Sequence, residues 1–115
     1  MFASHYKLDN LTAFVDFNGL QIDGKVTEVM NPTPIDEKFK AFGWNALVID
    51  GHNLEEIESA VACAESVKGR PTVIICKTVK GKGVSFMEDR AEWHGSAPNK
   101  EQYELAVKEL SATIE

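Results

Sequence analysis

Three short apolar runs stand out against the polar background of this 115-residue chain. They cover residues 11–17, 46–49 and 72–76, and polar side chains interrupt them only rarely. Nearly continuous apolar runs of this length are typical of parallel strands that are covered on both faces. We therefore expect the three runs to lie side by side in one parallel sheet.

A proline and a glycine frame the first helical pattern between these runs. Residues 34–42 are expected to form a helix with Thr33 as its N-cap and Pro34 at the first helical position. Gly43 follows as the stop signal, because glycine readily adopts the left-handed conformation that ends a helix.

Two capping pairs indicate further helices. Asn53 is followed three residues later by Glu56, and Asn99 by Gln102, which is the spacing of a capping box. The helices that they open are expected over residues 54–67 and 100–113. The first of them has an apolar face made of Leu54, Ile57, Val61, Ala64 and Val67.

Residues 2–8 also look helical, but no start signal precedes them, and so short a helix is not stable alone. We interpret them as the end of a longer helix, which makes Met1 an internal methionine. A frayed N-terminal turn is the alternative.

The order of strands and helices predicts the fold class. Strands alternate with helices, which indicates right-handed βαβ units and an α/β fold. We expect a partial parallel sheet of about three strands with flanking helices, forming at most one domain.

Composition excludes several classes of protein. The formal net charge of −6 argues against nucleic acid or an anionic membrane as the main partner. Apolar runs approaching twenty residues are absent, so a cytoplasmic location is expected. Cys63 falls in a helical pattern and Cys76 at the end of a strand, and both are expected to be buried thiols rather than a disulfide or a metal site.

The end of the first apolar run carries candidate metal ligands. Asn18 offers an amide oxygen and Leu20, two residues on, a backbone carbonyl. Both are hard oxygen donors of the kind that Mg²⁺ accepts. The alternative is turn chemistry, because Asn18-Gly19 is a common tight hairpin turn and Asp23-Gly24 is a second turn signal.

Residues 79–98 form a long stretch without periodicity, and loops of that length are usually functional or disordered. The segment 77–83 combines glycines with lysines, which suits a phosphate, although it is not a P-loop. A solvated loop is the alternative.

His94, in Glu92-Trp93-His94-Gly95, is a candidate for proton transfer or phosphate contact, with an ordinary surface histidine as the alternative. The other two histidines are weaker candidates. His5 is expected to face solvent from a helix, and His52 to help set the turn before the next helix.

These segments, in this order, resemble the diphosphate-binding domain of transketolase. The resemblance is closest to the amino-terminal subunit of split, two-chain transketolases and covers residues 1–115. It implies the C-terminal portion of a thiamine-diphosphate-binding domain, a truncated fragment without the family's upstream Gly-Asp-Gly motif. A 1-deoxyxylulose-5-phosphate synthase is the nearest alternative, but residues 21–24 and 93–95 favour transketolase.

The resemblance also implies residue roles. Asn18 gives its side-chain oxygen and Leu20 its backbone carbonyl to Mg²⁺. Lys80 contacts the cofactor's diphosphate, and His94 touches the diphosphate and faces the substrate as a catalytic residue. The family's aspartate ligand and its upstream substrate-binding histidines have no counterpart in this sequence, and the glutamate that activates the cofactor belongs to another domain or chain.

The implied activity is transfer of a two-carbon ketol unit between sugar phosphates in the pentose phosphate pathway, dependent on thiamine diphosphate and Mg²⁺. It requires the upstream half and a pyrimidine-binding domain or subunit, in a dimer or heterotetramer, and the chain alone is expected to be inactive. The alternatives are a non-catalytic α/β interaction module and a stand-alone phosphate-binding protein.

Overall fold

The computed structural model describes residues 1–113, which fall into two compact units, each built from two chain segments. The first unit contains Met1–Phe17 and Pro32–Thr78, and the second contains Asn18–Asn31 and Val79–Glu115. In chain order the elements are α1 (Phe2–His5), β1 (Thr12–Phe17), β2 (Leu20–Gln21), β3 (Gly24–Lys25), α2 (Val26–Val29), α3 (Ile35–Ala41), β4 (Asn45–Asp50), α4 (Leu54–Ser66), β5 (Thr72–Lys77), the 3-10 helix η1 (Ala91–His94) and α5 (Lys100–Ser111).

The first unit contains a parallel sheet in the order β1-β5-β4. The strands start in register, with Thr12 and Asn45 both opposite Thr72, and they end in register as well. The three apolar runs therefore form neighbouring parallel strands, which confirms the prediction from the sequence and the α/β class.

Burial differs between the central strand and its neighbours. All of β5 except Lys77 is buried, whereas exposed residues interrupt β1 and β4. Phe14 of β1 is 54% exposed, although it is paired in register with the fully buried Ile74. The expectation that all three runs are covered on both faces is wrong for the edge strands, because a strand's hydrophobicity does not determine what packs over it.

The core of the first unit lies between α4 and the sheet. Ala60 and Ala64 pack against Ile74 and Cys76, with side chains of β4 and α4 partly buried around them. Leu54, expected on this buried face, is 80% exposed, because it occupies the first helical position and packing against the sheet begins further along α4.

The two cysteines differ in exposure. Cys76 is buried as expected, but Cys63 is exposed, so the prediction of two buried thiols is wrong for Cys63. Cys63 precedes the buried Ala64 by one residue, which turns its side chain about 100° around the helix.

The expected N-cap of α3 is wrong by one residue. Pro34 is the N-cap, in an extended conformation (φ −76°, ψ 119°), and the helix starts at Ile35. The proline ring fixes φ near a value shared by extended and helical residues, so the sequence leaves both positions open. The stop at Gly43 is confirmed by its positive φ of 84°.

Both asparagine N-caps are confirmed, but Glu56 does not complete a capping box. Asn53 Oδ1 accepts hydrogen bonds from the N–H groups of Glu55 and Glu56 at 3.0 and 3.2 Å. The carboxylate of Glu56 accepts from the N–H of Asp50 instead, because the N–H of Asn53 already donates to the carbonyl of Asp50.

The capping box of α5 is complete. Gln102 N–H donates to Asn99 Oδ1, and Asn99 N–H donates to Gln102 Oε1, both at 2.9 Å.

The N-terminal helical stretch is shorter than the expected residues 2–8. α1 ends at His5, which is exposed as expected, and the rings of Phe2 and Tyr6 stack at 4.5 Å. Among residues 1–113, no helix combines the length and apolar character that crossing a membrane requires.

Candidate cofactor-binding site

The carboxyl ends of the parallel strands meet at one edge of the sheet. Phe17, Lys77 and Asp50 occupy the last register positions of β1, β5 and β4. Beyond them, Thr78 N–H donates to the Phe17 carbonyl at 3.3 Å and Gly51 N–H donates to the Lys77 carbonyl at 2.8 Å. Asn18 directly follows β1 and Lys80 is the third residue after β5, so both segments leave the sheet at the edge where open α/β sheets bind ligands.

Close packing fixes the chain at this edge. A Cβ at Gly51 would lie 2.5 Å from Thr78 Cγ2 and 2.8 Å from Cys76 Cβ, so only glycine fits there. The hydroxyl of Thr78 donates to the carboxylate of Asp16 on β1. Burial, followed by the negative charge of Asp16, raises the pKa of the Cys76 thiol.

The turn before α4 is set by Asp50, whose carboxylate accepts the N–H of His52 at 2.9 Å. His52 therefore takes part through its backbone, as well as lying at the ligand-binding edge as expected.

In the second unit, Asn18 opens a short antiparallel hairpin. Leu20 pairs with Lys25 and Gln21 with Gly24, and Ile22-Asp23 form the two-residue connection. Asn18 Oδ1 accepts the N–H of Leu20 at 3.0 Å. The turn interpretation is therefore correct in part: Asn18 does organise a turn, but the hairpin itself closes four residues later.

The oxygen atoms of this hairpin suit a hard cation. An amide oxygen has two lone pairs, and the hydrogen bond from Leu20 uses one of them on Asn18. Val26 N–H donates to the Gly19 carbonyl at 2.9 Å, which makes Gly19–Val26 a hydrogen-bonded pair and Leu20–Lys25 a non-hydrogen-bonded one. By this alternation the carbonyl of Leu20 points away from β3.

Carboxylates do not complete a metal site by themselves. Among residues 1–113 there is no group of three or more His, Cys, Asp or Glu side chains that could hold a metal ion. The hairpin donors therefore fit a metal that takes its other oxygens from bound phosphate, water or a further segment.

Lys80 lies on a loop that is closed on itself. The carbonyl of Lys80 accepts the N–H of Asp89 at 3.0 Å. A Cβ at Gly81 would lie 2.7 Å from backbone atoms of Met87, and Gly81 has a φ of +70°, so this position requires glycine on both counts. The Lys80 ammonium has no hydrogen-bond or ion-pair partner within the described part of the chain, which leaves its charge available to an anion.

His94 ends the 3-10 helix η1, and its neighbour Trp93 anchors it. The indole Nε1–H of Trp93 donates to the Phe86 carbonyl at 2.9 Å, and the two rings meet edge to face at 5.3 Å. His94 itself is exposed.

One pocket of the second unit joins His94 to the hairpin. It has a volume of about 430 Å³ and is lined by Leu20, Gln21, Ile22, Asp23 and His94. Asn18 and Lys80 are not among its lining residues. Sequence reasoning missed the lining by Gln21, Ile22 and Asp23, although the turn signal at Asp23-Gly24 marked the place.

The amino-acid sequence matches a known family along almost its entire length. The family described as "Transketolase, thiamine diphosphate binding domain" matches residues 1–112.

Curated relatives are similar over the whole chain. The 6-deoxy-6-sulfo-D-fructose transketolase subunit SqwG of a Clostridium species is 44% identical over 110 residues, covering 96% of this chain and 40% of that protein. One of the named subunits of the apulose-4-phosphate transketolase of Phocaeicola vulgatus is 44% identical over 115 residues, covering 100% of this chain and 41% of that protein. The chain thus spans about two fifths of the length of these relatives.

Solved structures agree. The transketolase of Campylobacter jejuni superposes with a TM-score of 0.88 at 32% identity, covering 96% of this chain and 17% of that one. The chain belongs to the transketolase family, within its thiamine-diphosphate-binding domain.

Proposed function

We propose that this chain supplies the magnesium- and diphosphate-binding part of the thiamine diphosphate site of a transketolase. The observation that carries the proposal is the hairpin of the second unit. It presents the amide oxygen of Asn18 and the outward carbonyl of Leu20, and its turn lines a pocket together with His94.

Asn18 and Leu20 are the proposed metal ligands. Mg²⁺ demands near-octahedral coordination by oxygen, so two protein oxygens leave most positions to the diphosphate, water and a carboxylate. Because the hydrogen bond from Leu20 orients Asn18, the amide oxygen is held in place before the metal arrives. This pre-organisation lowers the entropic cost of binding.

Lys80 is proposed to bind the diphosphate. Its ammonium is half-buried and unpaired among the described residues, and the loop that carries it is fixed through the Asp89 N–H. A fixed positive charge stabilises the negatively charged diphosphate at little cost in reorganisation.

His94 is proposed as the catalytic residue of this chain. Its exposed imidazole lines the pocket and is held at one end by Trp93, so it can contact a phosphate oxygen and donate or accept a proton at a substrate hydroxyl.

When bound, thiamine diphosphate supplies the carbanion chemistry that transfers a two-carbon ketol unit between sugar phosphates. The chain's own residues bind the diphosphate end, neutralise its charge and move protons at the substrate.

Further parts of the enzyme are needed for this activity. The relatives named as subunits are more than twice as long as this chain, which supports a requirement for an upstream segment and a pyrimidine-binding domain or subunit. We propose a dimer or heterotetramer for the completed enzyme, acting on sugar phosphates of the pentose phosphate pathway in the cytoplasm.

A chimeric enzyme tests the proposal. In the Phocaeicola vulgatus relative, the segment aligned with this chain is replaced by residues 1–115, and the chimera is combined with the remaining subunits of that enzyme. We expect ketol transfer that depends on both thiamine diphosphate and Mg²⁺. A folded chimera that assembles but neither binds the cofactor nor transfers ketol units would support the non-catalytic module instead.

A further inference from the structure

Ser85 and Glu109 form a two-point contact between the loop after β5 and helix α5. The backbone N–H of Ser85 donates to Glu109 Oε2 at 2.7 Å, and its hydroxyl donates to Oε1 at 2.6 Å. Hydrogen bonds to an ionised carboxylate are stronger than those between neutral groups. They also lower the pKa of Glu109, so the carboxylate remains ionised at neutral pH.

The helical side of this contact is well ordered. The capping box of Asn99 and Gln102 fixes the start of α5, and Leu110 reaches the loop beside Glu109. A Cβ at Gly83 would lie 3.0 Å from Leu110 Cδ2. None of the α5 side chains is buried, so specific contacts such as these, rather than an apolar face, connect the helix to the loop.

Ser85 lies in the middle of the segment that holds Lys80. The N–H of Val84 donates to the Gly81 carbonyl at 3.1 Å, and the N–H of Asp89 donates to the Lys80 carbonyl at 3.0 Å. These bonds close the loop on both sides of Ser85, so displacement of Ser85 disturbs the backbone of Lys80.

The same turn supports His94. The residue after Ser85 is Phe86, whose carbonyl accepts the indole N–H of Trp93, and Trp93 directly precedes His94. One anchored turn therefore bears on both residues that are assigned to the diphosphate.

We propose that Glu109 is a positioning residue, whose carboxylate fixes the Ser85-Phe86 turn and thereby sets Lys80 and His94 for the diphosphate. The anchoring of the loop stands on the structure of the second unit. Its consequence for the diphosphate rests on the proposed function.

Amide hydrogen exchange on the full chain without cofactor tests the anchoring. Glu109→Ala and Glu109→Gln are compared with Glu104→Gln, which makes the same charge change on an exposed residue of the same helix. We expect the amides of Ser85 and Asp89 to exchange about tenfold faster in Glu109→Ala and less so in Glu109→Gln, with the control unchanged. Unchanged exchange at both amides would overturn the proposal.

A smaller change keeps the test decisive if Glu109→Ala disrupts α5. Ser85→Ala removes the hydroxyl donor alone and retains the backbone N–H that binds Glu109. We expect its loop amides to exchange about threefold faster while the amides of α5 keep their protection. Wild-type exchange in a folded Ser85→Ala chain would count against the anchor.

Cofactor affinity in the chimeric enzyme tests the consequence. Glu109→Gln should raise the Kd for thiamine diphosphate about three- to tenfold and leave kcat at saturating cofactor nearly unchanged, because the loop is misplaced rather than chemically altered. Unchanged affinity in Glu109→Gln with weakened affinity in Lys80→Met would overturn the positioning role alone. Unchanged affinity in both variants would overturn the proposed role of Lys80, and this inference with it.

Discussion

Phe17 and Lys77 are direct register partners at the carboxyl ends of two neighbouring parallel strands, β1 and β5. The chain segments that follow them begin with Asn18 and Thr78, and their backbones are still linked there, since Thr78 N–H donates to the Phe17 carbonyl. Segments sixty residues apart in sequence thus leave the sheet together. This pairing is the structural basis for a shared cofactor site.

Replacing Asn18 by Ala in the chimeric enzyme should weaken Mg²⁺-dependent binding of thiamine diphosphate by at least about tenfold, because one of the few protein oxygens is lost. Calorimetry at several Mg²⁺ concentrations measures this. Asn10→Ala, the same change at an exposed position, is the control. Since Asn18 also accepts the Leu20 N–H, the melting temperature without cofactor must be compared. A loss of affinity that equals the loss of folded protein would argue for a turn residue only.

Replacing His94 by Ala should lower kcat of the chimeric enzyme about a hundredfold or more, while the Kd for thiamine diphosphate changes much less. The reason is that the exposed imidazole lines the pocket and is proposed to act mainly on substrate protons. Steady-state kinetics at saturating cofactor measures the effect, and His5→Ala on the exposed helix α1 is the control. Unchanged turnover would mean that His94 is structural.

Sequence and structure agree at some positions and differ at others for identifiable physical reasons. Strands, the Asn99 capping box and the order of the cofactor segments could be predicted, because each depends on residues close together in the chain. The exposure of Phe14 and Cys63 could not, because burial depends on which element covers a face.

The candidate site was predictable only in part. Asn18, Leu20, Lys80 and His94 lie in recognisable motifs, whereas the lining by Ile22 and Asp23 became visible only once the hairpin and His94 came together. The contact between Ser85 and Glu109 has no sequence signature, since the two residues are 24 positions apart and belong to no motif.

The two cysteines should differ in reactivity. Cys63 is exposed, whereas Cys76 is buried and its pKa is raised by burial and then by Asp16, so little reactive thiolate forms at Cys76 near pH 8. Mass spectrometry after brief treatment of the native chain with iodoacetamide should show modification at Cys63 first. Cys63→Ser should remain largely unmodified until denatured. Equal rates at both thiols in the native chain would contradict the packing of β5.

Acidification should release the loop from α5. Because hydrogen bonds from Ser85 lower the pKa of Glu109 from its ordinary value of 4.5, the contact contributes stability above that value. The contribution is lost as the pH falls through the lowered pKa. The amide resonance of Ser85 should titrate below pH 4.5 in the wild-type chain and not in Glu109→Gln.

The other charged side chains of this loop must be separated from that titration. Lys82 and Glu88 approach each other at 3.9 Å, so Glu88→Gln serves as the second comparison, along with Lys108→Met for the helix. A Ser85 titration that follows Glu88 rather than Glu109 would refute the assignment.

The most direct test of the central claim is calorimetric titration of thiamine diphosphate with Mg²⁺ into two samples: the 115-residue chain alone and the chimeric enzyme. The proposed role of the chain is to supply one amide and one carbonyl ligand and one diphosphate-binding lysine, which are too few to hold the cofactor without the rest of the enzyme. We therefore expect no measurable binding to the chain alone and saturable, Mg²⁺-dependent binding to the chimera. Saturable micromolar binding to the chain alone, or none to a folded chimera, would contradict the account.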